Sequence, residues 1–288
     1  MSREKENPVF LSEDGFRKFK EVVNRVLTSP RSNFYREKFN RDRFNPEHDL
    51  KNISDIIHVP RLTRAELSAV SPFERLYMPP EKINFLRHTS GTSGLRPLLL
   101  FRNKMPDYTL AGSRCLVLRG DSNAAYVMDL YRRPEQPPPL IVVTRYQNMP
   151  DFQNVIDDYQ PDSLESTPTM AIRFGGCIHE ATRKHIAAIQ LMGERYGERE
   201  YNILHRQFPN AEIATFYGSS ELGAPGYQCR FLRNKHFTYY HHYPHFMFEV
   251  TKPDDGAWVP HGEEGEIVVT ELYETPQQMI RYRTGDAG

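Results

Sequence analysis

Residues 89–97 combine hydroxyl side chains, glycines and one cation in a short stretch, TSGTSGLRP, that could bind a phosphate chain. Glycines let the backbone approach closely and adopt positive φ, so that successive N–H groups can point at one anion. The hydroxyls would add donors, and the guanidinium of Arg96 would add a fixed charge. The stretch lacks the Gly-Lys-Ser/Thr ending of the usual nucleotide P-loop, and a solvated hairpin turn is the alternative. The candidate phosphate-binding residues are Thr89, Ser90, Gly91, Thr92, Ser93, Gly94 and Arg96.

A cysteine and several histidines cluster between residues 229 and 245. Cys229, His236 and His241 could supply zinc ligands, because thiolate and imidazole are the groups that zinc prefers. Their spacing matches no standard zinc motif, and only these three ligands are obvious. The alternative is a set of surface histidines on a tyrosine-rich hairpin, which also includes His242 and His245.

Two further strings follow the glycine-rich stretch along the chain: FYGSSE at residues 216–221 and RYRTGD at residues 281–286. In the same order, the three strings resemble the T/S-S-G-T-T-G-x-P, Y-G-x-T/S-E and Y-R-T-G-D motifs of the adenylate-forming enzymes. That superfamily includes acyl-CoA synthetases, luciferase and the adenylation domains of nonribosomal peptide synthetases. The phenylacetate–CoA ligase branch is most similar, and the resemblance runs from about residue 30 to the last residue.

The resemblance implies a nucleotide site with a bound magnesium ion. Glu221 would hold Mg²⁺, which takes one or two carboxylates together with phosphate oxygens and water. Thr92 would be the hydroxyl partner of the metal or the phosphates. Tyr217 would lie against the purine, and Gly218 would keep the floor of the site open. Without the resemblance, an arginine-paired glutamate on a loop is the better interpretation of Glu221, and Tyr217 is equally well a core tyrosine.

The resemblance also assigns roles to two other parts of the chain. Gly193 and Glu194 end a predicted parallel strand, where open α/β sheets bind ligands, and would wrap the adenine. A plain strand-to-helix turn explains that glycine equally well. Asp286 would accept both ribose hydroxyls, since a carboxylate takes two hydrogen bonds. Arg283 would either pair with a phosphate or brace its loop, and we expect the bracing role. The expected nucleotide-binding set is therefore Thr89, Ser90, Gly91, Thr92, Ser93, Gly94, Gly193, Glu194, Tyr217, Gly218, Ser219, Ser220 and Asp286, with Thr92, Arg96 and Glu221 as catalytic residues.

The activity implied by the resemblance is ATP-dependent activation of a small carboxylic acid, by analogy an aryl or arylacetic acid. The carboxylate would attack the α-phosphorus of ATP, and coenzyme A or a carrier-protein thiol would then take the acyl group. Members of the family continue into a C-terminal lid that carries a lysine, and we expect this lid to be absent from the 288 residues. The alternative function is a non-catalytic nucleotide or acyl-adenylate binding module that acts with a partner.

Composition narrows the class of protein. The chain has 37 basic and 37 acidic residues, so its charge gives no reason to expect a nucleic-acid or membrane partner. Three cysteines cannot form a disulfide framework, which favours a reducing, cytoplasmic location. No apolar run approaches the roughly 20 residues of a membrane span. The sequence leaves the oligomeric state open.

Strands that alternate with helices predict an α/β fold of mostly parallel sheets flanked by helices, followed by a smaller β-rich subdomain. We expect three segments: a helical section (1–80), a nucleotide-binding core (81–235) and the β-rich subdomain (236–288). The predicted helices are residues 12–28, a short helix capped by Thr63 and Glu66, 107–119, 153–159, a helix from 169, and 198–207. The predicted strands are residues 83–86, 98–101, 124–130, 140–144, one near 164, 186–191, and one leading from 212 into Tyr217.

Overall fold

The structure is a computed structural model that describes residues 11–89, 97–103, 114–119, 140–143, 146–233, 235 and 237–288. The chain forms two compact units. The first unit comprises Met1–Leu86, Leu98–Lys104 and Pro244–Gly288, and the second comprises Arg87–Pro97 and Met105–Tyr243. The first and last of the three predicted segments therefore contribute to the same unit. None of the helices in the described ranges is both long and apolar enough to cross a bilayer.

Helices dominate the N-terminal part of the first unit. The long first helix begins as the sequence predicts, because the Ser12 hydroxyl accepts a hydrogen bond from the N–H of Gly15 at 3.1 Å, and its apolar face is buried. The predicted capping box of Thr63 and Glu66 is also present. The helices are α1 (Glu13–Thr28), α2 (Phe34–Arg41), α3 (Pro46–Asp49) and α4 (Arg64–Ala69), with 3₁₀ turns at Ile53–His58 and Pro80–Lys82.

Two short strands, β1 (Phe85–His88) and β2 (Leu99–Arg102), pair with each other and flank the glycine-rich stretch. Both predicted strands are present, each shifted towards the C-terminus relative to its apolar run. The sequence therefore indicates strand, loop and strand correctly at this point. Residues 90–96, between the two strands, lie outside the described residues.

The C-terminal part of the first unit is an antiparallel sheet in the order β10-β11-β12, which confirms the predicted β-rich character. Its strands are β10 (Phe246–Thr251), β11 (Glu266–Glu271) and β12 (Tyr282–Ala287). The helical section is tied to this sheet, because Leu62 donates its N–H to Arg281 O and accepts the N–H of Arg283. The hydroxyl of Tyr35 likewise bonds the backbone at Gln278 and Ile280. Chain segments more than 200 residues apart thus share one core.

The second unit is built on a seven-stranded sheet in the order β4-β3-β5-β6-β7-β8-β9. The first five strands in that order are parallel, and β8 and β9 continue the sheet in antiparallel fashion. The strands are β3 (Cys115–Arg119), β4 (Leu140–Val143), β5 (Ser163–Ser166), β6 (Ala188–Met192), β7 (Glu212–Ser219), β8 (Gly223–Tyr227) and β9 (His241–His242). The helices are α5 (Gln153–Tyr159), α6 (Pro168–Gly175), α7 (Glu180–His185) and α8 (Glu198–Gln207).

One face of this sheet forms the main core of the second unit. Leu116, Leu164, Ile189 and Ile213 are successive partners across four strands and are fully or almost fully buried. Side chains of α6 and α8 belong to the same apolar cluster, so these helices cover that face. Because side chains alternate along a strand, the next residue of each strand points to the opposite face.

Most predicted elements of the second unit are present, and one is wrong. Helices α5 and α8 span the predicted residues, and the strands near 140, 164, 188 and 212 are confirmed. The predicted helix over 107–119 is wrong at Cys115–Arg119, which is a strand between β4 and β5. Five apolar-rich residues fit either element, and pairing with two neighbouring strands decides for the strand. The rest of that helix and the predicted strand 124–130 lie outside the described residues.

Candidate functional site

Strands β7 and β8 form a tight hairpin whose tip carries the YGSSE string. A Cβ atom at Gly218 would lie 2.1 Å from the carbonyl oxygen of Gly223, so no larger residue fits while the two strands stay paired. The Ser219 hydroxyl accepts the N–H of Leu222 at 3.3 Å and closes the turn. Glu221, at the tip, is buried with 6% exposure. The glycine is therefore required by the backbone, whatever it also does for a ligand.

The predicted adenine turn at Gly193 and Glu194 follows directly after β6. Gly193 has φ of 82°, a left-handed conformation that favours glycine. The carboxyl group of Glu194 accepts the N–H of Thr169 at 3.0 Å, in the first turn of α6. Glu194 thus satisfies a free helix N–H group and fixes the turn against α6. Sequence reasoning did not indicate this contact.

The turn and the hairpin leave the sheet side by side. Met192, the last residue of β6, is the register partner of Phe216 on β7. Gly193 directly follows Met192, and Tyr217 directly follows Phe216. Both residues therefore lie towards the carboxyl ends of neighbouring parallel strands. In open α/β sheets this edge is where ligands bind. Two of the predicted nucleotide-binding segments are thus neighbours within the second unit.

Beside the hairpin lies a group of aromatic side chains that the sequence analysis did not single out. The ring centroids of Tyr217 and Tyr240 are 6.2 Å apart, and Thr215 donates its hydroxyl to Tyr240 at 3.3 Å. Tyr196 packs edge-on against Phe237, and burial raises the pKa of its hydroxyl well above the usual value. Of these side chains, Tyr240 is the one that packs against Tyr217. Only the abundance of tyrosine in this part of the sequence could have indicated them.

Of the glycine-rich stretch, the structure describes only the first and last residues, Thr89 and Pro97. Thr89 is buried, and its carbonyl oxygen lies 3.2 Å from Nδ1 of His88. Pro97 is exposed. The other predicted phosphate ligands lie outside the described residues: Ser90, Gly91, Thr92, Ser93, Gly94 and Arg96.

Asp286 and Arg283 lie on β12 in the first unit. Asp286 is exposed, and its N–H donates to the hydroxyl of Thr284 at 3.1 Å. Arg283 pairs with Glu266 at 2.7 Å, which is the bracing role expected of it. The preceding Arg281 is fully buried and pairs with Glu249.

Two of the three predicted zinc ligands are in contact. Nε2 of His241 lies 3.2 Å from Sγ of Cys229. His236 lies outside the described residues, and within those that are described no three His, Cys, Asp or Glu side chains are grouped as a metal site requires. His245 belongs to the first unit, where its ring packs against Phe246 and Tyr273.

Comparison with known proteins confirms the resemblance that the motifs indicate. No family model matches the chain. It is 24% identical to phenylacetate-coenzyme A ligase of Escherichia coli (strain K12) over 270 residues, 88% of this chain and 61% of that protein. It is also 24% identical to phenylacetate-coenzyme A ligase of Aromatoleum evansii, again over 88% of this chain and over 60% of that protein. The chain thus spans about three fifths of the length of these relatives.

A solved structure confirms the fold. An open conformation of 2-hydroxyisobutyryl-CoA ligase in complex with 2-HIB-AMP and CoA superimposes with a TM-score of 0.72 and 15% identity. The match covers 100% of this chain and 74% of the ligase chain. The fold is therefore that of the large N-terminal domain of adenylate-forming enzymes, with a helix-flanked mixed sheet and a separate antiparallel sheet.

Proposed function

We propose that this chain, which resembles the phenylacetate–CoA ligases, is the nucleotide-binding part of an ATP-dependent acid–thiol ligase. The observation that carries the proposal is the adjacency of the Gly193–Glu194 turn and the Tyr217–Glu221 hairpin at the carboxyl edge of one parallel sheet. Ligands of open α/β sheets bind at this edge. The reaction class comes from the phenylacetate-coenzyme A ligases to which the chain is similar.

In the proposed site, Tyr217 stacks on the adenine, with Gly193 and Glu194 along its edge and Ser219 and Ser220 nearby. Residues 89–94 and Arg96 hold the phosphates, and Asp286 binds the ribose. A magnesium ion, when bound, neutralises phosphate charge, and the Glu221 carboxyl group is the kind of single ligand that Mg²⁺ takes from proteins. Glu221 lies just beyond β7, at the end of the sheet where the nucleotide is proposed to bind.

The reaction has two steps. A carboxylate oxygen of the acid attacks the α-phosphorus of ATP, forming an acyl-adenylate and releasing pyrophosphate. A thiol sulfur, proposed to be that of coenzyme A rather than of a carrier protein, then attacks the acyl carbon, and AMP leaves. The chain's residues act by positioning, because Tyr217, Glu194 and the loop donors hold both reactants in place and Arg96 balances developing negative charge. We propose an aryl or arylacetic acid as substrate and the cytoplasm as the location.

The test combines nucleotide binding with catalysis. Calorimetry should detect binding of AMP and of Mg-ATP to the chain. Glu221→Gln should weaken Mg-ATP by about tenfold or more, as expected for loss of one charged ligand, and should leave AMP nearly unchanged. The matched control is Glu212→Gln at the start of β7, where the carboxyl group is exposed and pairs with Arg233.

Two results would count against the proposal. Failure of both nucleotides to bind would remove the nucleotide site. Nucleotide binding without any carboxylate-dependent pyrophosphate exchange, across a panel of aryl and aliphatic acids, would favour the non-catalytic binding module instead.

We also propose a zinc ion held by Cys229, His236 and His241. The 3.2 Å between Sγ and Nε2 suits two ligands of one tetrahedral zinc, for which bond lengths of about 2.3 and 2.0 Å give a separation near 3.5 Å. Elemental analysis of untagged protein should find about one zinc per chain, and Cys229→Ser should lose it. His242→Ala is the matched control and should retain it. Less than about a tenth of a zinc per chain in the unmodified protein would exclude the site.

A further inference from the structure

Tyr240, which directly precedes β9, packs against Tyr217, the residue proposed to stack on the adenine. The two ring centroids are 6.2 Å apart, and the ring planes are inclined by 52°. Aromatic rings at this separation attract each other when one is tilted against the other. Tyr240 is therefore in contact with a motif residue, although none of the three motif strings includes it.

A glycine on β8 makes this contact possible. Gly226 is the register partner of Tyr217, and a Cβ atom at Gly226 would lie 3.0 Å from Cβ of Tyr217 and 3.4 Å from Cβ of Tyr240. Both tyrosine side chains thus leave the backbone next to the position that a side chain of residue 226 would occupy. Because residue 226 has no side chain, the two rings have room to meet.

The position of Tyr240 is also fixed at its hydroxyl end. Thr215, which is buried with 2% exposure, donates its hydroxyl to the hydroxyl of Tyr240 at 3.3 Å. Thr215 and Tyr217 are two residues apart on β7, so their side chains project from the same face of the sheet. Tyr240 therefore lies along this face, bonded to one residue of β7 and packed against the other.

Support of this kind matters for a stacking residue. Tyr217 is only half-buried, and a base gains from stacking only when the face of the ring is turned towards it. A ring that must first be ordered by the ligand loses side-chain freedom on binding, and this loss weakens the affinity. A ring that is already held in place avoids that cost.

We propose that Tyr240 is a positioning residue that holds the ring of Tyr217 in the orientation that stacks on adenine. This inference rests on the proposed function. Tyr240 acts through Tyr217 and needs no contact of its own with the nucleotide. Its loss should therefore weaken binding of the adenosine part of ATP and leave binding of the phosphate chain unchanged.

The test compares two ligands, one with and one without the adenosine. Calorimetry measures the affinity of the 288-residue chain for Mg-ATP and for Mg-tripolyphosphate. Tyr217→Leu should weaken Mg-ATP about ten- to a hundredfold, as expected for loss of an aromatic ring that stacks on a base, and should leave Mg-tripolyphosphate unchanged. Tyr240→Leu should weaken Mg-ATP alone by about three- to tenfold, as expected for loss of one aromatic pair.

Three further variants assign the effect. The double variant Tyr217→Leu/Tyr240→Leu should bind Mg-ATP no more weakly than Tyr217→Leu does, because Tyr240 acts only through that ring. Tyr240→Phe keeps the ring, loses the bond to Thr215, and should recover most of the affinity. Tyr239→Leu is the matched control, because this neighbouring side chain is 66% exposed and its loss should leave both affinities unchanged.

Each adverse outcome is distinct. If Tyr240→Leu leaves Mg-ATP affinity unchanged, or lowers both affinities together, the inference is overturned and the proposed function stands. The same holds if Tyr217→Leu has no effect, or if the losses of the two single variants add in the double variant. Equal losses in Tyr240→Phe and Tyr240→Leu would assign the effect to the hydroxyl and overturn the ring contact as its cause. If the unmodified chain does not bind Mg-ATP, the proposed function fails and the inference fails with it.

Discussion

Replacing Arg281 by methionine should strongly destabilise the first unit. The guanidinium is 1% exposed and binds the Glu249 carboxyl through Nε at 3.0 Å and Nη2 at 2.8 Å. Its Nη1 donates to the carbonyl oxygens of Ile57 and Val59 at 2.8 and 2.6 Å. In the variant, the buried Glu249 carboxyl group would keep only the Trp258 N–H as a donor among these contacts. The carbonyl groups of Ile57 and Val59 would lose their side-chain donor. Removing one member of a buried pair costs about 3–5 kcal/mol.

That cost is large compared with a total stability of about 5–15 kcal/mol. The chain's single tryptophan, Trp258, bonds directly to Glu249 at 2.8 Å, so its fluorescence during urea unfolding reports on this unit. The matched control is Arg283→Met, two residues along. The Arg283 side chain is 33% exposed, and its partner Glu266 keeps Arg61 at 3.7 Å, so the loss should be no more than about 1 kcal/mol. The double variant Arg281→Met/Glu249→Leu should recover part of the loss, because no buried charge is then left alone.

The reasoning would be refuted if Arg281→Met lowered the free energy of unfolding by less than about 1 kcal/mol, no more than the Arg283→Met control does. It would also be refuted if the double variant were less stable than the single variant. Either result would mean that burial of this pair does not hold the 3₁₀ turn at Ile53–His58 against β10 and β12.

Two further predictions concern a titratable group and a backbone contact. Burial raises the pKa of Glu271, so the folded state holds this proton to higher pH than the unfolded chain does. The free energy of unfolding should therefore fall as pH rises from about 4.5 through the raised pKa. Glu271→Gln should flatten that fall in urea titrations across about pH 4–8. Gly218→Ala should destabilise the β7–β8 hairpin by about 2 kcal/mol or more, because its Cβ would lie 2.1 Å from Gly223 O, whereas Gly176→Ala, with 3.4 Å to its nearest neighbour, should change thermal stability little.

The elements that the sequence predicts well are those fixed by local signals. Ser12 and the apolar spacing determine α1, and the aliphatic run at 140–143 is unambiguous. Strand Cys115–Arg119 could not be assigned in this way, since its hydrogen bonds go to β4 and β5, which lie far away along the chain. Strand pairing of that kind is decided by tertiary structure, and a short window of sequence carries no information about it.

The same distinction between local signals and tertiary contacts applies to the candidate site. The FYGSSE string located Tyr217 and Glu221, and the end of a predicted strand located the turn at Gly193, because both signals are local. The bond from Thr169 to Glu194 and the pairing of Met192 with Phe216 both depend on which elements are neighbours and in what register. A shift of one residue would turn every side chain of a strand to the other face, so these contacts exist only once the sheet is known.

The hairpin tip shows why the motif residues need separate tests. Gly218 is demanded by the close approach of β8, so loss of nucleotide binding in Gly218→Ala would not by itself identify a contact with the purine. Ser219 likewise closes the turn through Leu222. Glu221→Gln preserves the size and shape of the side chain and removes only its charge. A change in Mg-ATP affinity without a change in thermal stability or AMP affinity would therefore isolate the chemistry of this motif from the geometry that it also provides.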